Sequence, residues 1–259
     1  MRFGVDIDVT PTSRYVSGVR EKNETRRPGP RAREKLLDAS LVLIREKGYS
    51  ATSVDELCAK AGVTKGAFFH HFQSKDALAV AAANRWSEIS GALFQTAPYH
   101  RHRDPLDRVL GFLDFRKAHL KGEVAEFTCL AGTMVQEVYR THAEIREACE
   151  ASISGQAALV EADIAEAMKL YRVRAKWSAQ SLALHMQAVL QGAFILAKAK
   201  GGPEVAAASI DHLRRYIELL FKAATLERLG RTATITHSRS VGTLTPSTRS
   251  PGLKRRSES

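Results

Sequence analysis

The 259-residue sequence predicts an all-α fold on three observations. Residues 53–78 carry the start and stop signals of two short helices joined by a tight turn. From Ser74 to about Lys222, apolar residues recur at three- and four-residue spacing, without the sustained alternation of a strand. Two segments flanking Gly201-Gly202-Pro203 step by four, three, four, three, as antiparallel helices of a bundle do.

Taken in order, residues 1–30 end in Arg26-Arg27-Pro28-Gly29-Pro30 and have no long apolar run, so an unstructured basic extension is expected there. A first helix follows, with Leu37, Leu41 and Ile44 forming one apolar stripe and Lys47-Gly48 closing it. Ser53 with Glu56 three residues on is a capping box that starts a second helix at Val54. Leu57, Cys58 and Ala61 give that helix a narrow inward face, and Gly62 ends it where a left-handed residue is needed. Val63 plugs the corner, and Thr64 offers an N-cap hydroxyl to a third helix over residues 65–71. Phe68 and Phe72, four apart, point inward and leave Phe69, His70 and His71 outside. Further helices are expected near 75–95, 105–121, 124–139, 143–170, 178–199 and 204–225, and residues 226–259, rich in Ser, Thr and Arg, read as a disordered basic tail.

Charge and composition narrow the function. The net charge of +11 is concentrated at both ends and in the first three helices, while the body beyond them is nearly neutral. That distribution favours a polyanion as partner. Cys58, Cys129 and Cys149 are too few and too scattered for a disulfide framework or a zinc site. No run approaches the roughly 20 apolar residues of a membrane span, so a cytoplasmic protein without a membrane partner is expected. Catalysis finds no support: there is no Gly-rich phosphate loop, no metal-spaced His and carboxylate cluster and no nucleophile elbow, and His100 and His102 read as solvated. No catalytic residue, metal or cofactor is expected.

Within this pattern, Gly48-Tyr49, Thr52, Leu57, Ala61-Gly62-Val63, Lys65-Gly66, His71-Phe72 and Ser74-Lys75-Asp76-Ala77-Leu78 resemble the N-terminal domain of the TetR family of bacterial transcriptional regulators. The resemblance implies a three-helix DNA-binding domain with a helix-turn-helix over residues 31–91, and a helical effector-binding and dimerisation domain over 92–225. It also implies a homodimer on double-stranded operator DNA, most simply a repressor released by a small-molecule effector; an activator of the same fold and a nonspecific DNA binder are the alternatives. In such proteins the residues at Lys65, Gly66 and Ala67 face base edges, while those at Ser53, Val54, Phe69, His71 and Lys75 hold phosphates. Thr64 and His70 complete the expected DNA face. The family usually has tyrosine at Phe69 and a hydroxyl residue at Ala67, so readout here leans on Lys65 and DNA shape.

The stepping residues Leu182, Met186, Val189, Ala193 and Leu196, with Ile210, Leu213, Ile217 and Leu220, are expected to form a dimer seam, though the same stripe can pack on the chain's own helices. By resemblance, Phe112, Phe115, Phe127, Cys129, Met134 and Trp177 line an effector pocket, with Thr128, Thr133, His185 and Gln187 as polar contacts. The run Phe127-Thr128-Cys129-Leu130-Ala131-Gly132, with Gln136-Glu137, Thr141-His142 and Ile145-Arg146, resembles a subgroup that includes electrophile-responsive repressors. That resemblance makes Cys129 a candidate reactive thiol, beside the alternative of a small packed cysteine.

Overall fold

A computed structural model describes residues 32–240, with side chains to residue 222. The expected N-terminal arm and the tail beyond 240 lie outside the described residues. The helices are α1 (Ala32–Lys47), α2 (Val54–Ala61), α3 (Lys65–His71), α4 (Lys75–Gln95), α5 (Pro105–Ala118), α6 (Val124–Phe127), α7 (Leu130–Val138), α8 (Ala143–Leu170), α9 (Ala179–Lys200) and α10 (Glu204–Ser240). A 3-10 turn, Pro98–Arg101, joins α4 to α5, and there is no strand among the described residues.

Two departures from the sequence reading concern element ends. The helix expected over 124–139 is two helices, because Thr128 and Cys129 both take extended backbone and Cys129 caps the start of α7, its Sγ accepting from Gly132 N at 3.3 Å. The backbone of α10 runs on to Ser240, past the break expected near 225. A third departure is that α9 has the length and apolar content of a membrane span. Gln180, Ser181, His185, Gln187 and Gln191 interrupt its runs, so no uninterrupted apolar stretch announces it. Its buried residues pack against α8 and α10.

The helices enclose two apolar cores. One is built by α1 to α4, with Leu36, Leu41, Leu57, Phe68 and Leu78 almost wholly buried, and it is completed by Leu130, Ala131, Met134 and Val138 of α7 and Ile145 and Cys149 of α8. The other fills the space among α5, α8, α9 and α10. α4 passes without a break through position 91, where the sequence suggested a domain boundary.

Most of the expected dimer seam belongs to this second core. Leu182, Met186, Ala193, Ile210, Leu213 and Ile217 are buried within one chain, and Val189 and Leu220 pack against them. Only Leu196 of that set is exposed. A heptad-like stripe records that a helix has an apolar neighbour; here α9 packs on α8 and α10, and α10 packs on α9 and α5.

Polar ties fasten the first three helices to the rest. Glu137 of α7 accepts from Tyr49 N at 3.0 Å and Ser50 N at 2.8 Å, capping the turn after α1. The buried Arg45 donates to Leu41 O at 2.7 Å and to Glu126 O of α6 at 2.9 Å, its guanidinium 4.9 Å from the Trp86 ring centroid. Gly48, at φ +91°, sits directly under the Glu137 carboxylate, where an added Cβ would collide with it. Gly62, at φ +65°, faces open space. Gly62→Ala should therefore cost only the left-handed backbone penalty of about 1–2 kcal/mol, whereas Gly48→Ala should cost more by also expelling the carboxylate. Thermal or urea unfolding of the two variants checks the order.

Candidate nucleic-acid interface

Each turn of the helix-turn-helix is fixed by a named hydrogen bond. Ser53 Oγ accepts from Glu56 N at 3.2 Å, and Glu56 Oε2 accepts from Ser53 N at 2.9 Å, closing the capping box. The Lys47 ammonium and these bonds from Ser53 hold the exposed Glu56 carboxyl down at about 2. Gly62 N donates to Ala59 O at 3.2 Å and Val63 N to Cys58 O at 3.0 Å, so α2 ends in a left-handed cap. Thr64 Oγ1 then accepts from Ala67 N at 3.1 Å, a cap of the kind worth about 1 kcal/mol. Phe68 is fully buried and locks the roll of α3.

Locking Phe68 inward turns the opposite side of α3 out. Lys65, Gly66, Phe69 and His70 are exposed, and Ala67 and His71 are partly so. Phe69 is 55% exposed, its ring edge-on to Phe68 at 5.1 Å, and the His70 and His71 rings lie 4.8 Å apart. Ser53 is exposed and Val54 half-buried at the start of α2. Lys65 pairs with Asp55 across the turn at 2.7 Å, which raises its pKa. Lys75 is differently occupied: its ammonium donates to Tyr49 O and Thr52 O, both at 3.1 Å, and lies 4.1 Å from the Tyr49 ring centroid. Tyr49 OH in turn donates to Asp76. Lys75 thus closes the loop between α1 and α2, a role that no sequence spacing announced.

Residues 36–82 match the family model for bacterial regulatory proteins of the tetR family, and residues 105–213 match that for the tetracyclin repressor-like C-terminal domain. The chain belongs to the TetR family.

Like its relatives, this TetR-family chain is a transcriptional regulator with a DNA-binding domain, and not an enzyme. Among curated relatives, transcriptional regulator AcuR of Cereibacter sphaeroides is 30% identical over 107 residues, 41% of this chain and 49% of AcuR. The matched segments of the first curated relatives span between about a fifth and a half of those proteins. Two solved structures share the fold. Regulatory protein TetR from Rhodobacter sphaeroides has a TM-score of 0.63 at 24% identity, covering 72% of this chain and 98% of that one. A cysteine mutant of the TetR-family regulator CifR, complexed with 26-base-pair operator DNA, has a TM-score of 0.61 at 18% identity, covering 73% and 98%.

Beside the DNA-binding domain of this TetR-family chain lies a cavity of about 820 Å³. Val42, Arg45 and Glu46 of α1 form one side of it, residues 118–127 another, and α4, α8 and α9 most of the rest, with Lys60, Arg116 and Cys129. Of Phe112, Phe115, Phe127, Cys129, Met134 and Trp177, Phe127 and Cys129 are on its wall and the others are not. Phe112 is core, packed on Phe94 and Tyr99; Phe115 stacks on His119; Met134 is buried in the first core; Trp177 packs edge-on to Phe221. Aromatic content alone does not separate wall from core. Among the expected polar contacts, Gln187 is on the wall, Thr128 is wholly buried away from it, Thr133 accepts from Lys198 at 2.6 Å, and His185 packs on Tyr216. The sequence reading missed Ser90, Gln156 and Arg116, polar residues on apolar helix faces, a signal that was present for each.

The three thiols differ. Burial pushes Cys58 up, and pushes the fully buried Cys149 up to about 12, whereas Cys129 is partly exposed on the cavity wall. Brief treatment of the native protein with iodoacetamide near neutral pH should label Cys129 first. Peptide mass spectrometry reads the order, and earlier labelling of Cys149 would contradict this packing.

Proposed function

We propose that this chain is a homodimeric, sequence-specific repressor that leaves its operator when a small-molecule effector occupies the cavity beside α1. The observation that carries the DNA reading is the start of α3. An added Cβ at Gly66 would meet only Thr64 Oγ1, at an ordinary 3.7 Å. Glycine inside a helix costs about 0.5–1 kcal/mol against alanine. The fold gains nothing from it, so the missing side chain serves an approaching partner. Lys65 and Ala67 flank it at a helix N-terminus, where backbone amides and the helix dipole favour phosphate nearby. Lys65 must exchange Asp55 for a base edge or phosphate. The neighbour CifR, which shares the fold, is itself solved in complex with operator DNA.

Dimerisation is assigned to a face other than the buried seam. Leu184, Ile195 and Leu196 on α9 and Tyr216 and Leu219 on α10 are exposed large apolar residues, with Leu219 63% exposed. On α9, positions 184, 188 and 195 share one side, as do 212, 216 and 219 on α10, and the His185–Tyr216 ring contact at 5.4 Å joins the two stripes. Exposed apolar side chains grouped on adjacent helices suit a second copy of the chain. Pairing is also required mechanically, since two recognition helices must meet successive major-groove turns about 34–36 Å apart. Effector binding then favours a splayed dimer by a population shift. Such a protein works where the genome is, in the bacterial cytoplasm.

Footprinting on the DNA upstream of its own gene tests the whole reading. A protected pseudo-palindrome, with transcription rising when the gene is deleted, is the expected result. Transcription that falls instead indicates an activator, and uniform weak protection indicates a nonspecific binder. Lys65→Ala should cost about 1–3 kcal/mol at one position of each half-site if it reads a base; an equal loss on all sequences reassigns it to phosphate. Leu219→Glu should give folded monomers by sedimentation, while Ile217→Glu, in the core, should unfold the chain. A Leu219→Glu protein that stays dimeric and DNA-bound moves the interface elsewhere.

A further inference from the structure

Part of the cavity's polar wall is satisfied from within. Gln156 Nε2 donates to Ser90 Oγ at 3.0 Å, Ser90 Oγ donates to Trp86 O at 2.7 Å, and an Arg116 Nη donates to Gln156 Oε1 at 3.3 Å. Gln187 is not satisfied in this way. It is 4% exposed, stands on the wall, and its Nε2 has no hydrogen-bond partner. A buried donor left unpaired costs about 1–3 kcal/mol, so this position asks for an acceptor from outside the chain.

The charges on the wall are sorted by depth. Its three carboxylates, Glu46, Glu123 and Glu126, are all on exposed residues, as are the ammonium groups of Lys60 and Lys121, whereas Arg45 is buried and Arg116 half-buried. The Arg116 guanidinium lies 4.1 Å from the Phe94 ring centroid, so cation and aromatic face form one surface. A ligand cation would find no counter-charge in the interior, while an anion would find two guanidinium groups. The remaining wall is apolar, with Trp86, Phe94, Phe127, Leu190 and Phe194. The volume suits a small organic molecule.

We propose that the cavity binds an organic carboxylate on an aromatic or branched apolar body, with Gln187 Nε2 donating to the carboxylate and Arg116 balancing its charge. This rests on the reading of the cavity as the effector site and adds the class of ligand it takes. Cationic amphiphiles are excluded by the same arrangement.

Three probes with one apolar body test it on the full-length protein by titration calorimetry: 4-phenylbutyrate, 4-phenylbutan-1-ol and 4-phenylbutylamine. The carboxylate should bind roughly tenfold or more tightly than the alcohol, and the amine weakest. Gln187→Leu should erase about tenfold of the carboxylate's affinity and leave the alcohol's unchanged, and Gln187→Glu should turn the preference towards the amine. Circular dichroism and operator binding verify that both variants are folded. An amine that binds as well as the carboxylate, a Gln187→Leu protein with an unchanged ratio, or no binding of any probe overturns the proposal. Operator release is measured separately. Carboxylate binding that leaves the DNA bound keeps the ligand class and overturns the effector reading; release that ignores position 187 does the reverse.

Discussion

A helix-turn-helix of three short helices cannot enclose a core of its own, and the rest of this molecule follows from how that deficit is met. Small units bury too little apolar surface to be stable alone. Here the missing wall comes from α7 and α8, whose Leu130, Ala131, Met134, Val138, Ile145 and Cys149 lie in the same cluster as Phe68 and Leu57. The DNA-reading unit is therefore continuous with the helices that line the cavity. Glu137 and Arg45 add directional contacts at the same junction, one capping the loop after α1 and the other joining α1 to the last residues of α6.

Much of the fold was legible because its signals are local. Ser53, Gly62, Thr64 and Ser74 each act within about three residues of themselves, and all four cap as their sequence context implies. Phe68 and Phe72 were readable as inward for the same reason. What the sequence left hidden depends on partners far along the chain. Lys75 looks like any lysine at a helix start, and only the fold brings it to the carbonyls of Tyr49 and Thr52. Arg45 looks like a surface residue in a basic last turn, and only α6 makes it a buried one.

The α9 and α10 stripes show the limit of periodicity in a different way. Leu182, Met186, Ile210 and Ile217 correctly announced helices with apolar neighbours, but the spacing is silent on whether the neighbour is the same chain or a copy. The residues on the outer face, such as Leu184, Tyr216 and Leu219, make a weaker pattern because His185, His212 and Arg215 interleave them. Similarly, of six residues expected around a ligand only Phe127 and Cys129 reach the cavity, because a void is defined by where side chains fail to meet.

The cavity wall and the first core share few residues. Trp86 belongs to both, while Gln187, Leu190 and Phe194 touch the cavity and have no part in packing the helix-turn-helix. Substitutions along that side of α9 can accumulate without disturbing α3. The cavity wall and the DNA-reading helix are thus separately inheritable traits in this architecture, and a descendant can change one while it keeps the other.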